Sequence, residues 1–229
     1  MNIDEAMRLT EIMLGLAFIQ QSIEHLHRPN NEKILFVPRI VLSLLLVIGF
    51  QVSWALIALI AVVVLSLVIL KRFNGPYNGG SDRMGLLILV CLTLAHLAPN
   101  HMWQEIAFGY LAVQLILSYL ISGWVKIVNP AWRSGRALRD VFAFTTYPVS
   151  ENLRGFAEQP KLLFVMSWCV IAFELLFPLS LLNTNTLYFA LIIAATFHLA
   201  NAFLFGLNRF FWIWLCAYPS ILWFQGNYV

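Results

Sequence analysis

Several polar residues of this 229-residue chain interrupt apolar stretches, and the most suggestive of these stretches ends at Lys126. Tyr119, Gly123 and Lys126 are spaced at i, i+4 and i+7, so a helix would present all three on one face. A glycine on that face would let a neighbouring helix or a flat ligand approach the backbone. A partly desolvated Lys126 amine would favour its neutral form and could act as a base. The alternative is a lysine that only extends to the interface at the end of a membrane span.

A second polar pair, His198 and Asn201, lies near the middle of another apolar stretch. The two residues are three positions apart and would share a helix face. They could orient a quinol, a carbonyl group or a carboxylate. They could equally form hydrogen bonds with a neighbouring helix and nothing more, because polar groups at membrane depth need such partners.

Glu174 is an acidic residue well inside a third apolar stretch, four positions before Pro178. A carboxyl group at membrane depth must be protonated or paired, and Lys126 and His198 are the candidate partners. The role of this acid could be structural or catalytic. Pro178 cannot donate the hydrogen bond that the Glu174 carbonyl would accept, so we expect a helix kink at this point.

The segment Tyr77 to Arg83 contains two glycines followed by Ser81 and Asp82. Either of these two residues suits a helix N-cap, and the glycines permit a tight turn. The segment therefore predicts the start of a helix. No metal site is predicted, because neither the histidines nor the cysteines have metal-ligand spacing; these residues are His96, His101, Cys91, Cys169 and Cys216.

The composition is that of a membrane protein. Hydrophobic residues make up 61% of the chain and charged residues 11%, against about 45–50% and about a quarter in soluble domains. A soluble globule of this size could not bury so much apolar surface, whereas a lipid bilayer would cover it. The formal net charge of +3 is spread over loops, and no basic patch with interleaved aromatic residues predicts a nucleic-acid partner.

We predict an all-α fold: a polytopic integral membrane helix bundle of about eight transmembrane helices, in a single domain over residues 1–229. The first helix is marginal, because Glu11, Gln20 and Gln21 interrupt it. The N-terminus has no basic region and no small-residue cleavage site, so we expect insertion through the chain's own spans. The predicted helices cover residues 5–24, 34–70 as two helices that meet at 49–51, 84–98, 103–126, 162–182, 187–206 and 210–224.

The basic residues predict the orientation in the membrane. With eight spans, all but one of the 14 Lys and Arg residues fall on the same side, and Arg8 is the exception. Lys and Arg collect in cytoplasmic loops, so we expect a multi-pass protein of the cell (inner) membrane with both termini non-cytoplasmic. Residues 127–160 would form a cytoplasmic-side interfacial loop. Within this loop the sequence ALRDVFAF predicts a short amphipathic helix.

These residues together resemble the HTTM (horizontally transferred transmembrane) domain, the membrane portion of vitamin K-dependent gamma-glutamyl carboxylases and their bacterial relatives. The run from Tyr119 through Gly123, Lys126 and Trp132 to Gly135 resembles the family segment that carries an active-site lysine. The run Phe197-His198 to Leu204-Phe205, with Asn201, resembles a second family segment. Glu174 falls where relatives carry an acid, and the segment 77–82 resembles a loop of bacterial members.

The resemblance implies carboxylase-like or redox-linked chemistry in which Lys126 is the general base that activates a quinol. His198 would line the same cavity, and Glu174 would set the charge state of the site. Substrate- or cofactor-binding roles fall to Tyr119, Gly123, Trp132, Asn201 and Asp82. The implied cofactor is a quinone or a reduced vitamin K-like quinol, and the implied process is peptide maturation at a bacterial inner membrane.

The carboxylases carry a large soluble region after the membrane domain, and the 229 residues contain no counterpart, so we expect a separately encoded protein partner. Two further classes stay open. One is a non-catalytic membrane anchor, assembly factor or electron-transfer subunit of a larger complex. The other is a small-molecule permease, which the lack of an inverted repeat disfavours.

Overall fold

The computed structural model describes residues 1–26, 30–49, 52–73, 79–144 and 151–229, and every regular element in these ranges is helical. Tyr77 and the predicted helix junction at Phe50-Gln51 lie outside the described residues. The elements in chain order are α1 (Ile3–Leu26), α2 (Asn30–Ile48), α3 (Val52–Arg72), α4 (Gly79–Leu97), α5 (His101–Val128), α6 (Pro130–Arg133), α7 (Arg136–Phe144), α8 (Glu151–Arg154), a 3-10 helix (Gly155–Glu158), α9 (Pro160–Leu176), a second 3-10 helix (Phe177–Leu182), α10 (Thr184–Phe205), α11 (Asn208–Cys216) and α12 (Tyr218–Tyr228).

The chain forms two compact units. One contains Met1–Val113 together with Arg209–Tyr228, and the other contains Gln114–Asn208 together with Val229. The boundary falls inside α5. We call them the first unit and the second unit.

Four helical segments of the described chain are long and apolar enough to cross a membrane: 80–97, 101–128, 160–182 and 184–205. They correspond to the fourth to seventh predicted spans. Many of their large apolar side chains point outward; Phe203 is 78% exposed and Trp124 63%. Such exposure suits contact with lipid rather than with water. The all-α class is confirmed, and the total of eight transmembrane helices stays a prediction.

Helix ends follow the glycines and prolines. α2 ends just before Gly49, which has a left-handed φ of 77°, where the sequence predicts the break. The α-helix α9 changes to a 3-10 helix at Phe177, one residue before Pro178, and this is the irregularity that the proline predicts. The Gly206 backbone, with φ 67°, closes α10.

Two boundary predictions are wrong. The predicted N-cap residues Ser81 and Asp82 lie inside the first turn of α4, which begins at Gly79; an acid in the first turn suits the helix dipole. The predicted span 210–224 is not continuous, because α11 ends at Cys216 and α12 begins at Tyr218. Pro219 explains this break, since it cannot donate a backbone hydrogen bond and its ring clashes with the preceding turn.

The sequence ALRDVFAF within residues 127–160 forms the helix α7, and the interfacial location of this segment stays a prediction. Its Leu138 and Phe142 are buried against Leu163 of α9. Gly135, with φ 76°, directly precedes α7. A methyl group at this position would lie 2.8 Å from the backbone nitrogen of Phe164, so only glycine allows the two segments this close.

Candidate functional site

Lys126 lies in the last turn of α5 and forms an ion pair with Glu174 of α9. Its Nζ donates to Glu174 Oε2 at 2.6 Å, to Oε1 at 2.8 Å and to Ser122 Oγ at 2.8 Å. The two side chains are only 13% and 4% exposed. Lys126 is therefore partly buried and paired with an acid inside the second unit, rather than extended alone toward the interface.

Gly123 allows this ion pair to form. A methyl group at position 123 would lie 2.8 Å from the backbone nitrogen of Leu175 and 3.0 Å from Glu174 Cβ. The glycine brings α9 against α5, as small residues do between membrane helices. Of the two roles that the sequence allows for Gly123, close approach of a neighbouring helix is the one observed.

Trp132 of α6 lies beside the ion pair, with its ring centroid 5.1 Å from Lys126 Nζ. A cation at this distance from an indole face is attracted to it. The Asn129 side chain caps α6 by accepting from the Ala131 amide, and the Ser167 hydroxyl donates to the Trp132 carbonyl. These two contacts fix the tryptophan against α9.

His198 of α10 pairs with Tyr119 of α5. The Tyr119 hydroxyl lies 2.8 Å from His198 Nε2, and both residues are buried. The rings of Phe177 and Phe173 pack against Tyr119 at centroid distances of 4.1 and 5.9 Å. The structure thus selects Lys126, and not His198, as the partner of Glu174.

Tyr119, Gly123 and Lys126 lie on one face of α5. All three contact the segment 173–177. Tyr119 and Lys126 are seven residues apart, which is about 10 Å along a helix axis. The face therefore holds two polar pairs, one about two turns from the other.

The family model of the HTTM domain matches residues 99–227, more than half of the chain and all of this face. The chain belongs to the HTTM domain family.

No curated protein and no solved structure matches the chain. The HTTM match includes the two polar pairs and Trp132. It begins after segment 77–82, so the resemblance of that segment to bacterial members lies outside the matched region. Within the HTTM domain, the α5–α9–α10 core of the second unit is consequently the candidate site.

Two further predicted site residues make other contacts. Asn201 is partly buried, and its side-chain amide donates to the Phe197 carbonyl one turn earlier in α10 at 3.0 Å. Asp82 belongs to α4 of the first unit, where it lines a small cavity with Arg39 and Ser66. The candidate site consists of Lys126, Glu174, Ser122, Trp132, Tyr119 and His198.

Sequence reasoning missed Ser122 and misplaced Arg39. Ser122 precedes Lys126 by four positions, so the helical spacing alone could have indicated it. The charge distribution that predicts the orientation counts Arg39 with the basic residues of a loop, although the predicted helix from residue 34 contains it; the residue is 4% exposed inside α2.

The two histidines beside the Pro99-Asn100 turn contact acids. His96 Nε2 lies 2.5 Å from Glu11 Oε1, and His101 Nδ1 lies 3.4 Å from Glu105 Oε1. No group of three or more His, Cys, Asp or Glu residues that could hold a metal ion occurs within the described ranges.

The Lys126–Glu174 contact is a direct hydrogen bond, the geometry that proton transfer from Nζ to the carboxylate requires. Transfer of one proton from Nζ to the carboxylate leaves a neutral amine with a free lone pair. Such an amine can accept a proton from a weakly acidic hydroxyl.

Proposed function

We propose that this HTTM domain protein is a membrane enzyme or enzyme subunit in which Lys126 is a general base. Glu174 takes the ammonium proton, Lys126 Nζ then accepts the hydroxyl proton of the substrate, and release of the Glu174 proton to water restores the ion pair. The observation that carries the proposal is the ion pair of the partly buried Lys126 and the buried Glu174, which joins two candidate membrane spans. A buried ion pair is weak evidence for a stability role, since apolar residues of similar size often stabilise a protein at least as well.

The substrate that we propose is a quinol of the vitamin K type. Bound beside the Lys126–Glu174 pair, the quinol would supply an acidic hydroxyl and the electrons for redox chemistry. The residues fit such a group in two respects: Lys126 Nζ accepts a hydroxyl proton, and the partly buried Trp132 ring beside it offers a flat surface for stacking. The Tyr119–His198 pair supports the same face of α5 about two turns away.

We further propose that the protein works with a separately encoded protein partner, in peptide maturation at a bacterial inner membrane. This part rests on the family resemblance. Co-purification of the tagged chain from its native membrane, followed by mass spectrometry, tests it. A stoichiometric soluble redox protein or peptide-binding protein supports the proposal, and a chain that purifies alone at full quinol activity contradicts it.

One observation favours a non-catalytic subunit instead. A lysine ammonium has three N–H groups, and Ser122 Oγ and the two Glu174 oxygens accept one each. With every donor used, the pair could serve only to hold α5 against α9. The chain would then be an anchor, assembly or electron-transfer subunit of a larger complex.

Lys126→Arg separates these functions. Arginine keeps the positive charge and can still bind Glu174, but it does not lose its proton in a protein. We expect oxygen uptake with reduced vitamin K, in lipid nanodiscs, to fall by about 10²-fold or more, the usual contribution of a general base. The melting temperature should stay near that of the wild type.

Lys161→Arg is the matched control, because Lys161 is exposed in the first turn of α9. It should leave oxygen uptake unchanged. If Lys126→Arg and Lys161→Arg retain equal oxygen uptake, or if the wild type never accelerates quinol oxidation, Lys126 is not a base and the subunit function stands.

A further inference from the structure

A second cluster of buried polar residues lies in the first unit, outside the region that the family model matches. Gln21 of α1, Arg39 of α2, Ser66 of α3 and Asp82 of α4 come from four different helices. Arg39 Nη2 donates to Gln21 Oε1 at 3.1 Å. Arg39, Ser66 and Asp82 line one cavity, together with Phe18 and Ile69.

Arg39 is held in this cluster by contacts on two sides. The Phe18 ring centroid lies 3.9 Å from Arg39 Cζ, which is a cation–π contact, and Gln21 accepts from Nη2. Arg39 Nε has no hydrogen-bond partner within the protein, and neither does Ser66 Oγ. Both residues are more than nine-tenths buried. Buried donors of this kind are normally satisfied by protein or by water.

The size of the cavity limits what can bind there. Its volume is about 10 Å³, close to the minimum that holds one water molecule. A quinone, a lipid chain or an oxyanion is too large for this space. The candidate ligands are therefore one water molecule or one monatomic ion.

The charges in the cavity wall favour water. Asp82 acts electrostatically on Arg39, yet the two form no direct ion pair among the contacts of the described chain. A halide would face the carboxylate, and a metal cation would face the guanidinium. A water molecule suits both groups, because it accepts from a donor and donates to an acceptor at the same time.

We propose that one ordered water molecule occupies this cavity and bridges Arg39 Nε to the Asp82 carboxylate, with Ser66 Oγ as its third partner. Three partners are typical of a buried water. The bridge supplies Arg39 with its counter-charge across the cavity and ties α2, α3 and α4 together in the interior of the first unit. This site is independent of the proposed function at Lys126.

X-ray radiolytic footprinting tests the proposal on the full-length protein. Bound water next to a buried side chain produces hydroxyl radicals in place and oxidises that side chain. Phe18 lines the cavity and is 2% exposed, and Phe108 of the same unit is 0% exposed and serves as the matched control. We expect Phe18 to be oxidised severalfold faster than Phe108, and equal rates would overturn the proposal.

Ser66→Val adds a second measurement. The valine fills the cavity with apolar atoms and removes one partner of the water, so the oxidation rate of Phe18 should fall to that of Phe108. An unchanged Phe18 rate in a folded Ser66→Val protein contradicts the site. A bromide soak gives an independent check on the wild type: anomalous density in the cavity would assign it to a halide and overturn the water.

Discussion

The hydroxyl of Tyr119 and the imidazole of His198 form a hydrogen bond with both partners almost fully buried. Removing one partner of such a bond costs about 1–3 kcal/mol, whereas replacing both by apolar groups can be nearly neutral. We expect Tyr119→Phe to destabilise the protein by about 0.5–2 kcal/mol, the lower values reflecting the weak hydrogen bonds measured inside membranes. Reversible unfolding in mixed micelles measures this change.

The double variant Tyr119→Phe/His198→Leu provides the control for that measurement. The decrease in its free energy of unfolding should be smaller than the sum of the decreases in the two single variants, because the energy of the shared hydrogen bond is lost only once. Strict additivity would show that the hydrogen bond contributes nothing to stability.

The sequence predicted five of the six residues of the candidate site, all but Ser122, but not their pairing. Helical spacing was enough to place Tyr119, Gly123 and Lys126 on one face. The choice of Lys126 over His198 as the partner of Glu174 depends on how far α9 and α10 are shifted along α5, and side-chain polarity does not encode this shift. Arg39 shows a different error, because the charge distribution counts it with a loop although the predicted helix from residue 34 contains it.

At the scale of the helices, the contact between α5 and α9 depends on Gly123. A methyl group there would meet Leu175 and Glu174 at 3.0 Å or less. We expect Gly123→Ala to destabilise the protein by about 1–3 kcal/mol, the usual cost of overpacking. The added methyl group should also push α9 away from α5, move Glu174 away from Lys126 and lower quinol-dependent oxygen uptake. Unfolding and oxygen uptake are measured on the same preparation.

Gly226→Ala is the matched control, since Gly226 lies in α12 and a methyl group there meets nothing within 4 Å. Alanine is favoured over glycine inside a helix by about 0.5–1 kcal/mol, so this variant should be slightly more stable than the wild type. If Gly123→Ala is stabilising to the same degree, α5 and α9 do not approach as closely as we describe.

Hydropathy predicts the positions of the long apolar helices. The prolines predict only some of the helix irregularities. Pro178 predicts a kink, and the structure has a change from α-helix to 3-10 helix at Phe177. The equivalent effect of Pro219 was missed, since the apolar stretch 210–224 has the length of a span and conceals a break. The pattern of apolar residues reports burial in lipid but not the continuity of the helix.

For the whole molecule, the break between α11 and α12 decides on which side of the membrane the chain ends. The two helices have 9 and 11 residues, and their lengths add up to about 30 Å, the thickness of the hydrocarbon core. Together they can complete one crossing. The basic residues of segment 127–160 predict a cytoplasmic location for that segment, and three crossings beyond it would leave residue 227 outside.

Cysteine labelling tests this orientation in a variant whose native cysteines, Cys91, Cys169 and Cys216, are replaced by alanine. Arg154→Cys and Asn227→Cys each introduce one thiol at an exposed position. In cells with an intact cytoplasmic membrane, an impermeant maleimide should label position 227, and it should label position 154 only after permeabilisation. Labelling of both positions under the same condition would mean that α11 and α12 enter and leave on one side, because two half-length helices joined at Ala217 can also form a re-entrant hairpin.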